Sequence, residues 1–343
     1  MRALCLHSLC SRSNLPLACL CATLMVGVAG VAADSQRLHI VRPAQFSGMC
    51  DASGAVALNS NLFAVACDED NTLRVYRWDQ PGGPVKQFDC NAFLEMEGKS
   101  LEADLEGAAR IGDRAFWIGS HGRNKNGKER LNRCRLFATD IRMANGDVDL
   151  VPVGRPYKRL VEDLIGDGRF ARYDLAAASQ HAPKEPNALD IEGLAATPEG
   201  QLLIGFRNPI PKGKALLIPL LNPNEVVLGQ APRFDSAIEL DLGGLGIRDI
   251  ARYEKGYLII AGSYDASGQF QLYQWAGPGS RPEPLTVKHL NRYNPEGIVL
   301  YPQKGLQEFQ ILSDDGTRLI EGVPGKEVAD PARRVFRSFW LTR

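Results

Sequence analysis

The sequence has no excess of charge of either sign: 40 Lys plus Arg stand against 40 Asp plus Glu over 343 residues. A nucleic-acid binder needs a basic surplus to neutralise phosphates, so that class is excluded, although local segregation of charge is not. Apolar runs of membrane-spanning length are also missing. The best, residues 15–30, is sixteen residues long and only weakly apolar, too short for a comfortable span. At 44% hydrophobic and 23% charged residues, the chain is neither disordered, collagenous nor a polytopic membrane protein. Familiar catalytic signatures are absent as well: there is no G-x-S-x-G, no H-E-x-x-H and no G-x-G-x-x-G after a strand. Gly122 to Glu129 has P-loop spacing but places Glu129 where magnesium binding needs Ser or Thr. His39, His181 and His289 have no metal-ligand spacing.

What is there begins with a processing signal. Arg2 and Arg12 are the only charges before Asp34, and Val31-Ala32-Ala33 supplies small residues ahead of it. A signal peptide over residues 1–33 is expected, with an uncleaved anchor as the alternative, and the mature protein is expected in the periplasm or outside the cell. Residues 34–343 carry 38 basic and 40 acidic groups and no membrane span. Cys50, Cys67, Cys90 and Cys134 remain after cleavage. In an exported chain they suggest one or two disulfides, with three full pairings open. No two have the C-x2-4-C spacing of a metal site. Cys67 and Cys134 lie in apolar strand patterns, where a buried free thiol is the alternative.

An acidic turn leading into an apolar segment recurs as Asp104-Leu105-Glu106-Gly107, Asp190-Ile191-Glu192-Gly193 and Asn294-Pro295-Glu296-Gly297. Asp51-Ala52-Ser53-Gly54 and Asp249-Ile250-Ala251-Arg252 are weaker relatives. After each comes a short apolar run bounded by Gly, Pro or Asp, at 62–66, 115–119, 202–205, 257–261 and 309–312. These have strand length and no helical period. Third strands follow at 73–78 and 270–275, whose alternation of apolar and polar residues predicts one wet face.

Repeats of this size point to the four-stranded blades of a β-propeller. The expected fold is therefore all-β, one propeller over residues 34–343 with five blades. A sixth, degenerate blade in the long interval 104–190 is the competing count, and residues 157–180 read as short helices over one mouth. Residues 37–41 are placed as the outer strand that closes the ring.

The D-x-E-G turns, with Trp117-Ile118-Gly119-Ser120-His121 and Gly205-Phe206-Arg207-Asn208-Pro209, resemble an exported bacterial family known only as a domain of unknown function, across roughly residues 50–320. More distantly, the turns are similar to those of β-propeller phytases and related esterase-like propellers. That resemblance implies channel-facing acids holding calcium beside a phosphoester.

Equivalent positions of successive blades converge on a propeller axis, so Glu106, Glu192 and Glu296 are expected to meet there. Clustered carboxylates resist desolvation and repel unless a cation compensates, and calcium, with its all-oxygen coordination, is the natural choice. Asp104, Asp190, Asp68 and Asp314 complete the expected ligand set, against the alternative that these acids cap turns and that each repeat glycine supplies a positive φ. Segment 121–135 is rich in bases, and Arg207, Arg248 and His121 lie beside repeated strands, where they could hold an anion next to the metal. Two functions follow: a monomeric, calcium-dependent hydrolase of a small phosphoester, or a non-catalytic propeller that binds a protein or glycan.

Overall fold

The computed structural model describes residues 37–265 and 267–343, so the signal segment expected at 1–33 lies outside the described residues. The repeated turn-and-run units become antiparallel sheets of four strands. Blade 1 is β2 (Ala52–Ala57), β3 (Leu62–Cys67), β4 (Thr72–Arg77) and β5 (Lys86–Asp89), after the opening strand β1 (Arg37–Ser47). Blade 2 is β6 (Leu105–Ile111), β7 (Arg114–Gly119), β8 (Leu136–Ala144) and β9 (Asp147–Tyr157). Blade 3 is β10 (Asp190–Ala196), β11 (Leu202–Asn208), β12 (Ala215–Leu220) and β13 (Ile238–Leu240). Blade 4 is β14 (Gly246–Tyr253), β15 (Gly256–Gly262), β16 (Phe270–Trp275) and β17 (Glu283–Val287). In blade 5, β18 (Pro295–Val299) and β19 (Glu308–Ser313) precede a small hairpin of β20 (Leu319–Ile320) and β21 (Val323–Pro324), then β22 (Val335–Thr342). Its outer strand is β1, paired antiparallel with β22 from His39↔Thr342 to Ser47↔Val335. The two ends of the described chain thus close the ring, and β1 also pairs in parallel with β17, joining blades 4 and 5 into one eight-stranded sheet.

The described residues form five blades rather than six. The 104–190 interval holds blade 2 and then short helices, α2 (Leu160–Gly166) and α3 (Leu175–Ala178) with a 3-10 turn between them; α1 (Asn91–Leu94) and α4 (Pro223–Val227) decorate other loops. Leu160, Leu164, Phe170 and Leu175 pack into the same cluster as Phe116 of blade 2 and Ile204 of blade 3, so the insertion widens one blade interface instead of adding a blade. No helix among the described residues is long and apolar enough to cross a membrane.

Five hydrophobic clusters occupy the five blade interfaces. Trp117 and Phe137 pack with Val56 and Leu73 between blades 1 and 2, and Phe46, Phe63, Phe336 and Trp340 join blade 5 to blade 1. Each blade is covered on both faces by its neighbours. This is why Leu73 to Tyr76 of β4 are all buried and the wet face expected of this strand is not found. Arg74 tolerates its burial by pairing with Asp70 at 2.7 Å.

Among the described residues Cys50, Cys67, Cys90 and Cys134 are all free thiols, contrary to the disulfides expected. Cys67 is packed in the interface of blades 5 and 1 and Cys90 in that of blades 1 and 2, so different cores hold them apart.

The innermost strands share one irregularity. Pairing shifts between Ala52 and Ala55, Leu105 and Gly107, Ile191 and Gly193, Ile247 and Asp249, and Pro295 and Gly297. A β-bulge therefore stands at the same place in every blade, where bulges re-aim side chains. The bulged residues are Ser53, Glu106, Glu192, Arg248 and Glu296. This corrects the repeat alignment in blade 4: Arg248 occupies the glutamate position and Asp249 the glycine position, three residues from the register expected.

The motif glycines also serve differently from expectation. None has a positive φ; each makes room for the next blade. A Cβ on Gly107 would lie 2.8 Å from the Glu192 carbonyl oxygen, and one on Gly297 would lie 2.7 Å from that of Ser53. In blade 4 the buried Asp249 carboxylate replaces this contact by accepting the Ile298 N–H of blade 5 at 2.7 Å. Asp249→Ala leaves that N–H without a partner and is expected to cost about 1–3 kcal/mol, with Asp249→Asn milder because it keeps an acceptor. Denaturant melts of the two variants check the order.

Candidate functional site

The bulges open onto an axial funnel of about 930 Å³. Thirteen acidic side chains line it against seven basic ones, so the neutral chain concentrates a negative surplus at this mouth. All seven acids of the expected ligand set, Glu106, Glu192, Glu296, Asp104, Asp190, Asp68 and Asp314, are in the lining, as are Arg207 and Arg248.

Charge is divided across the funnel. On the blade 3 to 5 side, Arg248 ion-pairs with Glu192 at 2.9 Å and with Glu296, its guanidinium lying 5.8 Å from the Phe270 ring centre. Arg207, near the end of β11, reaches the other Glu192 oxygen at 2.7 Å and Asp190 at 3.4 Å. Glu192 is thus held between two guanidinium groups, each a charge-assisted contact. Lys184, from the helical insertion, shares this wall. Burial, then the nearby Arg207 and Arg248, depress its pKa, and it has no ion-pair partner among the described residues.

On the blade 1 to 2 side Lys125, Arg130, Arg133 and Lys326 also line the funnel, Lys326 pairing with Glu69, yet two of the acids there form no ion pair among the described residues. Asp68, Asp104 and Glu106 each offer an oxygen within 4.8 Å of the others. Arg133 pairs with Asp104 at 2.6 Å and with Glu102, and Ser120 donates to Asp104. Among the described residues Glu106 has only the Ser53 hydroxyl as a hydrogen-bond partner, which donates to it at 2.8 Å, and the enclosed Oδ1 of Asp68 has none. Burial first, and then neighbouring carboxylates, push Asp68 and Glu106 well above the usual range. Burial raises Asp104 to about 8 despite Arg133. Asp51, bridged to Asp314 where blades 1 and 5 meet, rises to about 7 through burial and Asp314; burial and Glu192 bring Asp190 to about 7. These shifts mark carboxylates whose ionised form lacks a compensating charge among the described residues. The residues fit a divalent cation: oxygen donors, converging, with one atom unpartnered.

His121 is placed elsewhere. It is buried, outside the funnel lining, with φ 55° and Nδ1 donating to the Gly119 carbonyl at 2.8 Å. Burial lowers its pKa to about 4, so the fold holds it neutral. Because the unfolded chain takes up a proton near 6.5 and the folded one does not, stability falls as pH drops from about 6.5 towards 4. His121→Asn, which tolerates the positive φ, is expected to flatten that acid limb of a melting-temperature profile.

Among the charged lining residues that the repeat pattern did not single out, Lys184 and Asp51 bear most on the site. Lys184 comes from an insertion outside the repeat and carries no signal. Asp51 was visible as the acid of a weaker repeat, and its D-A-S-G pattern places it level with Asp104 and Asp190.

Together these features define a five-bladed β-propeller with a polarised axial mouth. Residues 51–139 and 151–300 match a family described as "Protein of unknown function (DUF3616)", and the chain belongs to that family. No curated protein sequence matches it. Among solved structures it is similar to a glutaminyl cyclase from Myxococcus xanthus, at 14% identity and a TM-score of 0.45 over 80% of this chain and 90% of that one. It is also similar to a PQQ-bound aldose sugar dehydrogenase from Streptomyces coelicolor, at 11% identity and 0.44 over 89% and 98%. A gluconolactonase from Xanthomonas campestris gives 13% and 0.39 over 83% and 77%. None of these is specifically a phytase.

Proposed function

We propose that the protein is a calcium-dependent hydrolase of a small phosphoester, acting at the mouth of the channel in the periplasm or outside the cell. The observation that carries this reading is the group Asp68, Asp104 and Glu106, which faces a wall of Lys184, Arg207 and Arg248 across one funnel. Asp68, Asp104 and Glu106 would hold the cation, with Asp51 and Asp314 beside them. Bound there, calcium supplies a Lewis acid for a phosphoryl oxygen and a more acidic water. Lys184 then meets the ester's negative charge with a free ammonium. Arg207 and Arg248 are kept in place by Glu192, which acts as a positioning residue rather than a ligand.

A second reading, a non-catalytic propeller that binds a protein or glycan, draws on the Glu192–Arg248–Glu296 network, which neutralises two channel glutamates internally. The two readings part on one assay. The mature protein, incubated with phosphomonoesters, phosphodiesters and carboxyl esters, is expected to hydrolyse a phosphoester with calcium and to stop with chelator. Hydrolysis that survives chelation, or none on any ester, rejects the first reading. Glu106→Gln is expected to weaken calcium binding by about tenfold or more, read by calorimetry.

A further inference from the structure

We infer that the blade 1 side of the mouth holds a second cation of a different kind, a thiolate-seeking divalent ion of the zinc class, between Asp51, Cys67 and Asp68. Pairing of Ala52 with Cys67 puts Asp51, just before β2, and Asp68, just after β3, at the same end of one hairpin. One ligand atom from each of Asp51, Cys67 and Asp68 lies within 4.8 Å of the others. Cys67 is 3% exposed, and its sulfur makes no hydrogen bond among the described residues. The enclosed Asp68 Oδ1 has none either. Two ligand-type atoms, the sulfur of buried Cys67 and the enclosed Oδ1 of half-buried Asp68, therefore converge without partners among the described residues. Asp51 is fixed from outside the group: the Cys50 thiol donates to its Oδ2 at 2.8 Å, and its carboxylate packs where any Cβ on residue 316 would stand, so only glycine fits there.

Donor chemistry selects the ion. Calcium and magnesium take oxygen ligands, whereas a thiolate with two carboxylates suits zinc and its relatives. Three protein ligands leave a coordination position for water or a substrate oxygen. Binding requires the thiolate, so the Cys67 proton passes to solvent as the metal enters. Asp68 also belongs to the group with Asp104 and Glu106, so the two cations would share it, an arrangement suited to clamping a phosphoester between metals. The thiolate site itself stands on Asp51, Cys67 and Asp68 and does not require that hydrolysis occur.

The test uses cobalt(II) as a spectroscopic probe on the purified protein. One equivalent is expected to produce a sulfur-to-cobalt charge-transfer band, lost in Cys67→Ser and kept in Cys50→Ser and Glu106→Gln. Cobalt binding without that band, or a band that persists in Cys67→Ser, overturns the proposal. Should Cys67→Ser fail to fold, X-ray absorption at the zinc edge of wild-type protein loaded with one equivalent decides the matter: a sulfur neighbour supports the site, and oxygen and nitrogen neighbours alone reject it. A sulfur-cobalt band in a protein that hydrolyses no ester would support this site while rejecting the phosphoester reading.

Discussion

Arg248→Gln is expected to destabilise the protein by about 3–5 kcal/mol, the cost of stranding a buried charge. Arg248 is 6% exposed, and its partners Glu192 and Glu296 are 3% and 7% exposed. Without the guanidinium, Glu296 loses its ion-pair partner, and Glu192 keeps only Arg207. Glutamine can donate to one of them but cannot neutralise either. One feature separates this from a packing loss. A triple variant, Arg248→Met with Glu192→Gln and Glu296→Gln, is expected to recover most of the stability, since replacing a whole buried ionic cluster by neutral groups is often tolerated. Denaturant unfolding of the single and triple variants measures both. A single-variant loss below about 1 kcal/mol would show that these pairs do not hold the axis together.

Gly54→Ala is expected to cost about 3 kcal/mol, at the upper end of the overpacking range. The added methyl would lie 2.5 Å from the Gly107 carbonyl carbon and 2.7 Å from the Ala108 nitrogen. Both are backbone atoms of the innermost strand of blade 2, so no side-chain rotation relieves the overlap. Blades 1 and 2 must separate instead, which loosens the cluster around Trp117 and shifts Glu106 away from Asp68. Calcium binding is therefore expected to weaken along with stability. Gly166→Ala is the control: nothing lies within 4 Å of its Cβ, it ends helix α2, and the change is expected to be neutral or slightly stabilising. Equal melting temperatures for Gly54→Ala and the wild type would refute the close-approach role of the repeat glycines.

Much of the fold was legible in the sequence. The apolar runs at 62–66, 115–119, 202–205, 257–261 and 309–312 each became the second strand of a blade, and residues 37–41 opened the strand that closes the ring. The acids of the D-x-E-G turns were found where convergence on an axis requires them. Blade 4 was misaligned because its turn, Gly246-Ile247-Arg248-Asp249, shares neither the acid nor the glycine of the others; only the pairing of β14 with β15 shows where its bulge falls. Cys67 read as a strand residue, which it is, but its approach to Asp51 and Asp68 depends on the register of a hairpin.

Strand segmentation, blade repetition and the identity of the acidic turns were determined by the sequence alone, because each depends on neighbours a few residues apart: turn residues that break a run, and apolar residues that every blade must bury in the same way. Which acids are neutralised was decided by the tertiary structure. Glu192 and Glu296 meet Arg248, while Asp68 and Glu106 form no ion pair among the described residues, because these partners come from different blades and face one another only once β1 and β22 have closed the ring. Net charge of zero is the sum over the chain; the negative mouth is its distribution, and burial at the axis makes that distribution act on pKa values and on any ion that enters.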